Sequence, residues 1–397
     1  MADGQAAKRI AEFIEPLRVT PGSKVTLAKD FDPGYKADFV KKKDGLELLQ
    51  RGVELMTEYQ SRLAAQDTYG LLVVLQALDA AGKDGTIRHV MSGVNPQGVF
   101  VHSFKVPSPE EINHEYLWRY AKALPGRGEI GIFNRSHYEE VLVVRVHPEN
   151  LVRQRLPKEA RGRDVWKRRY RDINDWERHL ADNGFKIVKL LLNLSQEEQR
   201  VRFLRRIDLP DHNWKFSAAD AHERTFWPAY QKAFSEMLTA TSTEWAPWYV
   251  IPADHKWFAR ICASAVIANA LIEIDPHYPR VSPEARKALE ATKVELEAQA
   301  PEGAAPDPFA AQTAAAASRQ HDAPKTGKKA RKQAAKAAKK AKKAAKAERK
   351  DRASVEQADR LADRETEKES LREDEREARV VERETGAGGE AAGKGAH

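Results

Sequence analysis

The sequence predicts an α/β fold: a parallel five-stranded sheet covered by helices on both faces, a three-layer sandwich. Between Gly70 and about Arg280, short apolar runs alternate with longer stretches of helical spacing, which is the pattern of strand and crossover helix. The first run, Leu71-Leu72-Val73-Val74-Leu75, is continuous rather than alternating, as a strand buried on both faces requires. A turn bearing glycine and lysine follows that run and opens a helix, at the end of the sheet where such folds bind ligands.

Taken in order, the second strand is expected over Val99 to Phe104 and the third over Ile130 to Phe133. The fourth is expected over Lys186 to Leu192, and the fifth over Trp248 to Ile251. Segments Pro109 to Ala123, Trp166 to Asn183 and Asp254 to Ile274 are long enough to be the helices between them. Ahead of the sheet, residues 1–69 read as a helical extension, with Leu46, Leu49, Val53, Met56 and Tyr59 at helical spacing. Residues 70–280 form the sheet domain, and all eight Trp lie between Trp118 and Trp257. Residues 281–397 are a low-complexity charged tail, read as disordered or helical.

A hydrophobic share of 41% in 397 residues suffices for a sizeable core. The formal charge of +8 favours polyanionic partners without naming one. A single cysteine, Cys262 in the apolar run Ile261 to Ala268, excludes a disulfide within the chain and a cysteine metal site; it reads as a small buried hydrophobe. Met1 to Lys8 holds no apolar signal core, and no apolar run is expected to reach bilayer length. The expectation is a soluble, cytoplasmic protein with no membrane partner.

After the first strand comes Ala77-Leu78-Asp79-Ala80-Ala81-Gly82-Lys83-Asp84-Gly85-Thr86. Glycines let the backbone turn tightly, the next helix offers its positive end, and Lys83 adds a point charge for phosphate oxygens. Against G-x-x-x-x-G-K-[ST], Ala77 stands at the first glycine and Asp84 at the metal-holding hydroxyl. A carboxylate must then hold the metal, and Asp79 is the candidate. The phosphate loop is thus expected to comprise Asp79, Ala80, Gly82, Lys83, Asp84 and Gly85.

The third strand runs into Asn134-Arg135-Ser136-His137-Tyr138-Glu139-Glu140. Enzymes with such loops place a metal-binding or water-positioning acid there. Asn134 is a neutral amide and a poorer ligand; Arg135 suits a bidentate phosphate contact. His137 reads as structural or substrate-lining. Glu139 and Glu140 serve either a metal or the positive end of a helix. After the fourth strand, Arg200, Arg202, Arg205 and Arg206 crowd two helical turns. Either a polyanion lies between them, or they form a solvated face with Glu197 and Glu198 as partners. Beyond a proline-containing loop, Trp214-Lys215 suggests a lid over about 205–222. The aromatics Trp227 and Tyr230, at helical spacing with Glu223 and Arg224, read as packing rather than base-stacking.

Together these segments resemble the polyphosphate kinase 2 family. The resemblance rests on Asp79-x-x-Gly82-Lys83-Asp84-Gly85, on Asn95-Pro96-Gln97-Gly98-Val99 leading to Ser103-Phe104-Lys105, and on Gly131-Ile132-Phe133-Asn134-Arg135-Ser136-His137-Tyr138-Glu139. Arg202-Phe203-x-x-Arg206, Asp208 and Trp214-Lys215-x-Ser217-x-x-Asp220 complete it, over about Phe31 to Arg280. The resemblance implies a P-loop kinase fold with a helical lid, which moves a phosphoryl group reversibly from inorganic polyphosphate to nucleoside mono- or diphosphates. It implies magnesium, or manganese in its place, and a homo-oligomer. By motif, Asp79, Lys83 and Arg135 resemble the catalytic residues. Lys83, Arg135, Arg202, Arg206 and Lys215 resemble the polyphosphate-binding cations, and Asp79 the metal ligand, with Asn134 and Glu139 as lesser candidates. Asn134 stands where many members carry Asp, so Glu139 or Asp84 is expected to supply the missing charge. The string from Phe133 to Glu140 is similar to the subgroup that accepts both mono- and diphosphates.

In the tail, residues 325–350 carry thirteen Lys or Arg against one acid, Glu348. Such a block binds polyanions by counterion release, with polyphosphate or nucleic acid as candidates, or it is simply solvated. Two other functions stay open on the residues alone: an ATP-dependent nucleotide kinase, and a nucleic-acid-binding protein acting through this block.

Overall fold

The structure, a computed structural model, describes residues 2–37, 42–162, 164–215 and 217–301. The strands are Gly70–Ala77 (β1), Val99–Ser103 (β2), Ile130–Asn134 (β3), Phe185–Asn193 (β4) and Trp248–Pro252 (β5). They form one parallel sheet in the order β2-β3-β1-β4-β5. The continuous apolar run in β1 has the expected cause. Leu71, Val73 and Leu75 enter one core and Leu72 and Val74 the other, because successive side chains point to opposite faces. The chain crosses from the β2-β3 side of β1 to the β4-β5 side, so a crevice opens at the carboxyl ends of the central strands. Leu75 lies beside Asn134 in register, which brings the turns after β1 and β3 together.

Helices Val165–Asp182 and Lys256–Ile274 fall where expected. The stretch Pro109 to Ala123 is instead two short helices, Pro109–Asn113 and Trp118–Ala121. Between them Glu115 accepts a hydrogen bond from the Leu117 N–H at 2.7 Å, a local bond that ends the helical ladder. Helix Lys256–Ile274 is long and apolar enough to cross a membrane by length and composition, contrary to expectation, but two thirds of its apolar window is buried inside this fold. It carries Cys262, buried as expected, whose thiol burial pushes upward.

Residues 1–69, expected as an extension, share both cores. Ile14, Leu17, Met56 and Leu63 join one, while Val19, Val25 and Leu27 join the other. The Val19 N–H donates to the Trp248 carbonyl at 2.9 Å. Residues 1–287 form one compact unit. Helix Pro283–Ala298 is exposed along its length; the Lys-rich block 325–350 lies outside the described residues.

One buried polar cluster fixes the turn that follows β3. Glu177 accepts from Lys189 Nζ at 2.7 Å and from the Tyr138 hydroxyl at 2.8 Å, and lies 3.1 Å from His137 Nε2. Burial alone would raise the Glu177 carboxyl, but Lys189 and His137 hold it below the usual range. Burial pushes the His137 imidazole down, which suits a structural histidine. Replacing Glu177 with glutamine leaves the Lys189 ammonium buried without a counter-charge. A loss of about 3–5 kcal/mol in unfolding free energy is expected, measured by urea denaturation; a loss below about 1 kcal/mol would show that the cluster tolerates an uncharged partner.

Candidate active site

Three left-handed residues shape the site. The turn after β1 passes through Ala80 at φ 64 and Gly82 at φ 102, then enters helix Lys83–Val90. The turn after β3 places Arg135 at φ 64, with its N–H still donating to the Leu75 carbonyl at 3.1 Å. The two turns meet where Arg135 Nη2 donates to Asp79 Oδ1 at 3.2 Å.

On one side of this pair lies a cavity of about 760 Å³. Its walls are the phosphate loop from Asp79 to Thr86, the ends of β2 and β3, and the start of helix Lys256–Ile274. Lys83, Arg88, Lys105, Arg135, Arg206, Lys256 and Arg260 all line it, against the carboxylates Asp79 and Asp84. These cations crowd one another. Burial, then Arg202, Arg205 and Arg260 push the Lys256 ammonium down against Glu198, and burial with Arg88 lowers Arg260. A polyanion relieves that repulsion. Lys83 donates to the carbonyls of Ala77 at 2.8 Å and Leu78 at 3.4 Å, and burial lowers its ammonium despite Asp79.

Across the pair lies a second cavity of about 520 Å³, which shares Asp79 and Arg135 with the first. Glu139, His147, Asp220, Glu223, Arg224, Trp227 and Tyr230 line it. Trp227 and Tyr230 thus line a cavity, and Tyr230 is also packed in the core, as read from the sequence. Burial raises the Glu139 carboxyl, although Arg135 and Lys83 pull it down. Burial would lower the Arg135 guanidinium, but Glu139 and Asp79 outweigh it and raise it.

The predicted residues do not all converge. Asp79, Ala80, Gly82, Lys83, Asp84, Gly85, Asn134, Arg135 and Arg206 share the basic cavity. Glu139 faces the second cavity, apart from Asn134 and Asp84. Glu140 is occupied by Arg169 and Gln154, at 2.5 and 2.7 Å. Arg202 is a correction: expected on polyphosphate, it is buried, and its guanidinium donates to four backbone carbonyls and to Glu198. It faces inward on helix Gln196–Asp208, whereas Arg200 lies exposed beside Glu197 and only Arg206 reaches the cavity. Lys215 sits in the short 3-10 helix Pro210–Lys215, and its side chain lies outside the described residues. Sequence reasoning missed Arg88, Lys256 and Arg260. Lys256 carried a signal, since it follows β5 as the phosphate loop follows β1; Arg88 and Arg260 carried none.

The metal expectation can be tested on the donors present. Among the described residues no group of three acids, histidines or cysteines could hold a metal. Asn134 Nδ2 donates to Asp84 Oδ1 at 2.8 Å, and the buried Asn134 Oδ1 lacks a partner. Asp84, not Glu139, therefore supplies the charge beside Asn134. Oxygen donors of this kind fit magnesium, which takes one or two carboxylates and completes its shell with water and phosphate.

Comparison with known proteins gives consistent matches. Residues 39–278 match the family model described as Polyphosphate kinase 2 (PPK2). A protein of Rhodopseudomonas palustris named ADP-polyphosphate phosphotransferase is 49% identical over 276 residues, which cover 68% of this chain and 94% of the relative. A Meiothermus ruber protein named AMP/ADP-polyphosphate phosphotransferase is 45% identical over 267 residues, covering 66% and 94%. The crystal structure of polyphosphate kinase 2 from Arthrobacter aurescens TC1 superposes with a TM-score of 0.63 at 38% identity, covering 70% of this chain and 96% of that one.

Proposed function

The chain belongs to the polyphosphate kinase 2 family, and on that premise we propose that it transfers a phosphoryl group from inorganic polyphosphate to nucleoside mono- and diphosphates. The observation that carries this reading is the pair of cavities joined at Asp79 and Arg135, one of them lined by seven cations. A linear phosphate chain suits the basic cavity, and an acceptor nucleotide suits the mixed cavity with Trp227 and Tyr230. The transferring group then passes beside Arg135, the cation common to both.

Charge spreads over the moving phosphoryl group, so positioning and neutralisation supply most of the acceleration. Lys83 and Arg135 do this with fixed charge. No general base is assigned, because an acceptor phosphate is already an ionised nucleophile. Asp79, Asp84 and the Asn134 oxygen would hold magnesium, which when bound neutralises phosphate oxygens. The anhydride broken resembles the anhydride formed, so the reaction is reversible. Magnesium dependence and self-association belong to the same proposal.

The test is product formation from AMP and from ADP separately, with polyphosphate and magnesium. ADP from the first and ATP from the second are expected, and a chain ending at Lys287 is expected to keep both reactions. Product from ADP alone narrows the acceptor range; product only when ATP replaces polyphosphate sinks the reading. The relative named for AMP/ADP supports the broad range, and the relative named for ADP supports the diphosphate reaction.

A further inference from the structure

We propose that Arg202 and Gln199 are positioning residues that turn the carbonyls of Asp79 and Ala81 away from the cavity, so that the N–H groups of Ala80 and Gly82 face the phosphate chain. The proposal rests on the phosphotransferase reading above.

Every backbone carbonyl from Ala77 to Gly82 has a donor. Lys83 Nζ donates to Ala77 and Leu78. Gln199 Nε2 donates to the Asp79 carbonyl at 2.9 Å. Arg202 Nη1 donates to the carbonyls of Ala80 at 3.0 Å and Ala81 at 2.9 Å. The Thr86 N–H takes Gly82 at 2.9 Å. In a planar trans peptide the C=O and the following N–H point in opposite directions. Anchoring the carbonyls of Asp79 and Ala81 to helix Gln196–Asp208 therefore turns the N–H groups of Ala80 and Gly82 the other way, toward the cavity that both residues line.

Both anchors are themselves held. Glu198 accepts from Arg202 Nε at 2.8 Å, and Arg224 donates to Gln199 Oε1 at 2.8 Å. Arg202 Nη2 reaches the carbonyls of Ala253 at 2.6 Å and Asp254 at 3.0 Å, which also fixes the turn that delivers Lys256. A guanidinium has five donors and no acceptor, so one side chain can pin two turns at once. With Nε, Nη1 and Nη2 all engaged on protein, Arg202 acts on phosphate through the loop.

The test uses the full chain, with ATP formation from ADP and polyphosphate followed across a salt series beside thermal melts. Arg202→Ala is expected to lower kcat about 100-fold, the scale of a small misplacement in a transfer site. The salt slope of the polyphosphate KM should stay unchanged, and guanidinium ion in the buffer should restore at least tenfold. Arg206→Ala, which removes a cavity cation, should instead flatten that slope by about one contact. Arg202→Ala that keeps wild-type kcat, gains nothing from guanidinium, or flattens the slope as Arg206→Ala does overturns the proposal. Where Arg202→Ala fails to melt cooperatively, Gln199→Met decides: kcat down about tenfold at an unchanged melting temperature supports the clamp, and unchanged kcat overturns it. Wild type without polyphosphate-dependent activity defeats the phosphotransferase reading itself, a result distinct from any of these.

Discussion

Lys83→Ala is expected to lower kcat for polyphosphate-dependent transfer by about 10³-fold, the scale of removing one fixed group from a developing anionic charge. Lys83 stands at the start of helix Lys83–Val90 and lines the basic cavity with Asp79 and Arg135. Its ammonium rests on the carbonyls of Ala77 and Leu78, within reach of an entering phosphate. Burial lowers its affinity for its proton, so a phosphate that enters gains more from this charge than from one in open water. Surface cations such as Lys105 contribute less, because water screens them. The loss should appear mainly in kcat, with the melting temperature close to wild type. A kcat within tenfold of wild type would assign the charge stabilisation to Arg135 and the metal instead.

Asp79→Asn is the second large effect, expected at about 10²- to 10³-fold in kcat/KM, with the magnesium titration moved to higher concentration. Two consequences combine. The substitution removes one carboxylate from the proposed magnesium site, leaving Asp84 and the Asn134 oxygen. It also removes the charge facing Arg135 at 3.2 Å, so the guanidinium shared by the two cavities keeps Glu139 as its remaining nearby acid. The readouts separate these parts. A magnesium titration that does not move restricts Asp79 to orienting Arg135, whereas a moved titration with undiminished maximal rate restricts it to the metal.

Strands β1, β3, β4 and β5 were legible because burial forces an apolar run, whereas β2 is a largely exposed edge strand marked by its β-favouring residues Val99, Phe100 and Val101. Each observed strand lies within two residues of its expected limits. The phosphate loop was legible for a similar reason: few sequences leave a buried strand through glycine and lysine into a helix. Residues whose role depends on helix phase and distant partners were not legible. Arg202 and Arg206 are four apart and looked equivalent, yet one inserts between two turns and the other meets the cavity. Arg88 and Arg260 come from helices far apart in sequence, and nothing in either segment marks the charge of the other. Residues 1–69 looked peripheral because their apolar positions are sparse; they are sparse because each contributes a single face to a core made elsewhere.

The left-handed backbone at Ala80 and Arg135 bears on any attempt to make this chain more heat-resistant. Neither residue is glycine, and each such conformation costs roughly 1–2 kcal/mol. Against a typical margin of about 5–15 kcal/mol for a folded domain, two strained residues at the junction of the cavities are a visible share. Selection for thermal survival alone would find glycine at both positions attractive, because glycine relieves the strain directly. At Arg135 that change deletes the shared cation, and at Ala80 it loosens the turn that Arg202 grips. Durable improvement has to come from the two cores on either face of the sheet, where side chains can be repacked without touching the turns; the strained turns at the cavities are the part that such a programme must leave alone.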